Sequence, residues 1–257
     1  MTDQSHERFT AAQFGPRAAA YVASPVHASG PDLQDLAALV RGRPGGRVLD
    51  LGCGGGHVSF TVAPHATEVV AYDLSADMLA AVATVAAQRG LGNIVTRQGS
   101  VEALPFADAS FDLVLTRFSA HHWPNLPTAL HEARRVIRPD GLAIFMDAVS
   151  PGPALLDTHV QAIELLRDPS HVRDYSVEEW RRALSAAGFV PGRLVERRLH
   201  LDFQPWIERM CTPPAQVEAI RALQAQATEA VRRHFAIEPD GSFRLDTMSL
   251  EAAPEAA

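Results

Sequence analysis

The chain has 257 residues, 47% of them hydrophobic and 21% charged, and carries a formal net charge of −7. That length and apolar content can bury a sizeable core, which sets disorder aside and suits one large α/β domain or a domain with a small cap. The acidic balance, without a long cluster of Lys and Arg, lacks the footprint of a nucleic-acid binder. No apolar run reaches the ~20 residues that cross a bilayer, and the polar start from Met1 to Thr10 is unlike a signal peptide, so membrane insertion is not expected and a soluble cytoplasmic protein is. Of two cysteines, Cys53 stands in a glycine-rich turn where a disulfide would be awkward, which points to a reduced compartment.

From Gly46 to Ala148 short β-branched runs alternate with helical patterns, the signature of βαβ units and a parallel sheet. Strands are predicted at Arg47 to Asp50, Glu68 to Tyr72, Asn93 to Arg97, Phe111 to Thr116 and Leu142 to Ala148. Ser75 caps a helix whose apolar positions Met78, Val82 and Val85 precede a stop at Gly90. Leu126, Leu130, Ala133 and Ile137 mark one face of another, which Pro139-Asp140-Gly141 terminates. Beyond it, Ser176 and Glu179 form a capping box for a helix that Gly188 closes. Alternation from Val195 to Phe203 predicts a sixth strand, Pro213 to Phe235 a long amphipathic helix, Phe243 to Ser249 a last strand, and Glu251 to Ala257 a frayed tail. The long helix either packs internally or pairs with a second subunit, so monomer and homodimer both stay open.

The segment Asp50-Leu51-Gly52-Cys53-Gly54-Gly55-Gly56-His57 follows a strand and precedes a helix. Glycine lets backbone approach a ligand closely and reach angles other residues resist, while the helix N-terminus offers free N–H groups, so a nucleotide-like ligand is expected. Two readings compete, because nicotinamide dehydrogenases also place a glycine turn after the first strand and an acid about 20 residues later, which Asp73 satisfies. The dinucleotide pattern would need a third glycine where His57 stands, whereas D-x-G-x-G-x-G is complete at Asp50, Gly52, Gly54 and Gly56. A ligand without a pyrophosphate is favoured.

These residues, with Ala71 to Ser75 and Gly99 to Phe106, resemble the class I S-adenosylmethionine (SAM) dependent methyltransferases. Within them the chain is similar to small-molecule enzymes of methyltransferase type 11 related to the ubiquinone and menaquinone C-methyltransferases. The likeness spans roughly Gln13 to Gly188. It implies a Rossmann-like, doubly wound α/β fold with a seven-stranded sheet, mostly parallel with an antiparallel last strand. Residues 1–45 would form a helical lid, 46–150 the SAM-binding core, and 151–257 cap elements and remaining strands of the same domain.

By that resemblance Gly52, Gly54 and Gly56 hold the amino-acid end of SAM with Asp50 orienting the loop, and Asp73 accepts from the ribose hydroxyls. Leu74 and Met78 pack near adenine. Ser100 stands where the family carries an Asp for the adenine amino group, with the Val101 N–H available to the ring. Tyr21, in an N-terminal segment with Gln13, Phe14 and His27, reaches for the cofactor's carboxylate or packs. The product would be S-adenosylhomocysteine and the acceptor a small molecule.

The end of strand four, Arg117 to Trp123, lies at the carboxyl edge of the sheet, where ligands bind in such folds. Arg117 is expected to meet the cofactor's carboxylate or a substrate anion, and at most one of His121 and His122 to face the site. His121 or Asp147 is the candidate base; no metal is required, and no ligand spacing for one is present. Arg167, His171 and Arg173 mark a lid or pocket wall, or else a solvated charged loop. Trp206, Arg209 and Met210 read as core, or as an apolar side of the pocket. The competing functions are an NAD(P)-dependent oxidoreductase and a SAM-binding protein that transfers no methyl group.

Overall fold

A computed structural model of the chain describes residues 3–22, 28–43 and 45–256, so His27 lies outside the described residues. Helices α1 (Asp3–Phe14), α2 (Ala18–Val22) and α3 (Pro31–Arg41) precede the first strand. Alternation then runs β1 (Arg47–Leu51), α4 (His57–Val62), β2 (Glu68–Asp73), α5 (Ala76–Gln88), β3 (Ile94–Gln98), β4 (Phe111–Arg117), α6 (Leu126–Val136) and β5 (Ile137–Ala148). The remaining elements are α7 (Ala154–Arg167), α8 (Val177–Ala186), β6 (Phe189–Leu201), α9 (Phe203–Met210), α10 (Pro214–Ala225), α11 (Glu229–Phe235) and β7 (Phe243–Pro254).

The strands form one sheet in the order β3-β2-β1-β4-β5-β7-β6. β1 to β5 are parallel, and β7 runs antiparallel to both β5 and β6. This is the doubly wound sheet with an antiparallel last strand that the resemblance implied. Period-two alternation divides the strand side chains between two faces. Leu49 and Leu51 join Val70, Val114 and the α6 residues Leu130 and Ala133 on one face. Val48 joins Val69, Leu113 and the α3 residues Leu36 and Val40 on the other. A third cluster, with Val160, Trp206, Ile220, Phe235 and Phe243, builds a cap beyond the far edge of the sheet.

Several boundaries differ from expectation. α6 stops at Val136, because Ile137 is already extended and pairs with Phe111, and Pro139 disfavours helical angles at Arg138 before the predicted turn is reached. The single long helix is two: the chain breaks between Ala225 and Glu229, and the Thr228 hydroxyl accepts the Val231 N–H to start α11. β6 begins at Phe189 and crosses an irregularity between Pro191 and Leu194, which hides its alternation from the sequence. Of the tail expected to fray, Glu251 to Pro254 belong to β7, where Ala252 pairs with Ala143 of β5 and Pro254 with Phe189 of β6.

The capping box is present: Ser176 Oγ accepts the Glu179 N–H, and the Glu179 carboxylate accepts the Ser176 N–H at 2.8 Å. It fixes the start of α8 so that Trp180 packs against Phe145 of β5, ring centroids 5.4 Å apart. Trp180→Ala should therefore cost ~3–5 kcal/mol of unfolding free energy in urea titrations, the usual loss for a large aromatic removed from a core. A loss below ~1 kcal/mol would show that α8 is not anchored through this ring.

Candidate active site

Gly52, Gly54 and Gly56 all take positive φ, +64°, +47° and +79°, as the sharp exit from β1 requires. A Cβ on Gly52 would fall 1.8 Å from Ser119 Oγ, so no larger residue fits between β1 and the turn after β4. One on Gly54 would meet nothing within 4 Å, because that face of the loop is open. Asp50 lies beneath the loop and accepts the Ser59 N–H at 3.0 Å and its hydroxyl at 2.6 Å, tying β1 to α4. Burial pushes its carboxyl up to about 7, against the opposing pull of those two bonds. Asp73, at the end of β2, accepts the Gly54 N–H through Oδ2 and the Ser75 N–H through Oδ1, both at 2.9 Å.

Above this loop opens a cleft of about 1020 Å³. Asp50, Gly52, Gly54, Asp73, Leu74, Met78, Val101, Arg117 and Tyr21, all expected around a cofactor, line it. Glu7 and Phe14 of α1 line it as well. His57 opens α4 and donates through Nε2 to the Tyr21 carbonyl at 2.9 Å, clamping the N-terminal segment onto the loop.

Some expected residues are employed otherwise. Arg117 is ion-paired with Asp32 of α3, both side chains largely buried, so the guanidinium already has its counter-charge. Ser100 is not among the residues bordering the cleft; its hydroxyl donates to Glu7 and accepts the Glu102 N–H. Tyr21 turns its hydroxyl to Met210 Sδ, 3.1 Å away, in line with the packing alternative.

A second cavity adjoins the first, sharing Phe14, Tyr21, Phe118 and His122 as walls. Leu199, Leu201, Trp206 and Leu245 give it an apolar side; His121, Glu164, Arg167, Asp174 and Arg209 give it charge. Both histidines face this space, contrary to the expectation of one. The short 3-10 turn Ala120–His122 sets the two rings against each other, 4.2 Å between centroids.

Their partners set their chemistry. His121 donates through Nδ1 to Asp147 Oδ1 at 2.6 Å, and Asp147 also accepts the Ala120 and Ala148 N–H groups. Burial works against a charge on His121, but Asp147 outweighs it and raises the ring to about 9. Its Nε2 has no hydrogen-bond partner among the described residues. His122, whose Nδ1 donates to the Ser170 carbonyl, is pushed down by burial and by charged His121 beside it.

The 168–173 loop holds this turn in place, since the Val172 N–H donates to the His121 carbonyl at 2.8 Å. Arg173 pairs with Asp157 and Glu179, and His171 donates to Gln161, so neither reaches the cavities and both serve the scaffold. Only Arg167 of the expected trio lines the second cavity.

Glu7, Glu164 and Asp174 were missed from sequence. Glu7 shares a helical face with Thr10, Ala11 and Phe14, and Glu164 stands three residues before Arg167, so helical spacing was the signal available for both. Asp174 sits in irregular chain and had none.

A glycine exit at the point where strand order reverses, with an acid capping the neighbouring strand, is the architecture of a class I SAM-dependent methyltransferase. A family model described as "Methyltransferase domain" matches residues 49–145. The chain is 46% identical to the uncharacterized protein YafE of Escherichia coli (strain K12) over 197 residues, 77% of this chain and 95% of that one. It is 33% identical to the uncharacterized methyltransferase YcgJ of Bacillus subtilis (strain 168) over 224 residues, 87% of this chain and 88% of the other. The YcgJ crystal structure superposes with a TM-score of 0.84 at 30% identity, covering 88% of this chain and 99% of that one. The chain belongs to this methyltransferase family. Neither the oxidoreductase alternative nor the quinone branch of the resemblance finds specific support in these matches.

The His121–Asp147 pair makes a prediction about pH. A histidine raised to about 9 in the folded protein from an ordinary 6.5 stabilises the fold fully below the lower value, and that contribution is lost as pH climbs through the higher one. NMR titration of labelled histidines should find His121 near 9 in the wild type. In Asp147→Asn it should fall well below 9, because the largest pull against burial is gone and only Asp174 and Glu164 still favour the charged ring, and the decline in stability between those pH values should shrink.

Proposed function

We propose that the cleft between the glycine loop and α1 holds SAM, and that the adjoining cavity holds a small-molecule methyl acceptor. The observation that carries the reading is that the two spaces adjoin at Phe14, Tyr21, Phe118 and His122, which border both, so that ligands in them would lie side by side. The cleft suits the cofactor. The open face at Gly54 leaves backbone accessible to the amino-acid end, and each Asp73 oxygen, having accepted one N–H, keeps a lone pair for a ribose hydroxyl. Leu74 and Met78 supply an apolar bed for a flat ring. Arg117, neutralised by Asp32, shapes the cleft rather than meeting a ligand's carboxylate.

Bound SAM supplies a methyl group on a good leaving group, with S-adenosylhomocysteine as product, so the protein's work is alignment, exclusion of water and care of one proton. α1 and α2 act as the lid, fastened by His57 to the loop they cover. Asp147 fixes the tautomer and orientation of His121 and leaves Nε2 toward the acceptor space. Charged at neutral pH, His121 donates a hydrogen bond to an acceptor that has ionised; above about pH 9 the free base takes the proton from one that has not.

Calorimetry should show SAM and S-adenosylhomocysteine binding that weakens at least tenfold, by order of magnitude, in Asp73→Ala. His121→Gln should keep SAM affinity and lower kcat roughly 10²- to 10⁴-fold on any acceptor that drives S-adenosylhomocysteine release. Full turnover in His121→Gln would remove the proton-handling role, and binding of NADH in place of SAM would overturn the cofactor assignment.

A further inference from the structure

We infer that Glu7, carried on the lid helix α1, reads the amino edge of the cofactor's purine ring. The inference rests on the cofactor reading above and adds a residue and a specificity to it. Glu7, Thr10, Ala11 and Phe14 present one face of α1 to the cleft, which Asp73, Leu74, Met78 and Val101 also line. Of the carboxylates bordering that space, Asp50 is committed to Ser59, and Asp73 to the Gly54 and Ser75 N–H groups and, on the reading above, to the ribose. Glu7 makes no such backbone bond. One of its oxygens accepts the Ser100 hydroxyl; the other has no hydrogen-bond partner among the described residues.

Ser100 itself cannot serve a ligand well, because its proton goes to Glu7 and its oxygen accepts the Glu102 N–H at 3.1 Å. It acts as a bracket that fixes the Glu7 carboxylate at the rim. The next residue, Val101, lines the cleft, and its N–H is likewise without a partner among the described residues. A free carboxylate oxygen and a free N–H, next to the apolar surface of Leu74, Met78 and Ala11, offer one acceptor and one donor to the edge of a flat ring. A 6-aminopurine presents the complement, an amino donor beside an unprotonated ring nitrogen. A 6-oxopurine presents the reverse order and would set its carbonyl against the carboxylate. Since the carboxylate arrives on α1, recognising the amino group also holds the lid shut.

The test is calorimetry with S-adenosylhomocysteine and its deaminated analogue S-inosylhomocysteine. Wild type should favour the adenosyl compound at least tenfold. Glu7→Gln, whose amide donates to a 6-oxo group, should cut that ratio at least tenfold. Adding Ser100→Asp to Glu7→Gln should restore the adenosyl preference by supplying a carboxylate from the sheet side. A merely structural Glu7 would weaken both compounds together, so an unchanged ratio in Glu7→Gln overturns the inference. Failure of the wild type to bind either compound overturns the cofactor reading itself.

Discussion

The reversal of winding direction between β1 and β4 is the constraint on which the rest depends. β1 lies between β2 and β4, so the chain leaves β1 toward one side of the sheet and β4 toward the other, and the carboxyl ends of the two strands cannot be roofed by the same connection. The crevice this opens is closed below by the glycine turn, where any side chain on Gly52 would strike Ser119. Asp50 and Asp73 then tie the turn to α4 and to the start of α5 through backbone N–H groups. Both functional spaces descend from that crevice: one above β1 and β2, the other beyond β4 where the cap elements arch over β5, β7 and β6.

The second space is governed by charge in a confined setting. Burial raises the carboxyls of Glu164 and Asp174, the latter to about 8, and His121 is held charged chiefly because Asp147 lies against it. At low effective dielectric such pairs differ sharply from solvated ones, so neighbouring histidines diverge: His121 is raised while His122, one residue on, is lowered. Two rings of the same type thus divide into a charged donor and a neutral wall residue. The 168–173 loop, although rich in charge, contributes mainly by gripping the backbone at His121.

How much could be read beforehand follows from which interactions are local. The β1 exit, Asp73, the Ser75 cap and the Ser176–Glu179 box involve residues a few positions apart, and each was legible from residue type and spacing. Strand existence was legible too, whereas strand ends at β6 and β7 were obscured by the irregularity at Pro191 to Leu194 and by small residues in the tail. Arg117 was expected at a ligand because it ends strand four at the carboxyl edge of the sheet. Its partner Asp32 lies 85 residues away and meets it only when α3 packs against the sheet.

The sequence by itself determined the order of elements, the doubly wound sheet and the glycine-rich floor of the cleft, because hydrophobic period and left-handed backbone angles are properties of short segments. Tertiary structure alone decided the pairing of Glu7 with Ser100 and of His121 with Asp147, and the gathering of α7, β6, α9 and β7 around the second cavity. Periodicity says which face of an element is buried but not which charged group it will face. That choice is made when helices and strands distant in the chain come within a few ångströms, where the desolvation of each group selects its partner.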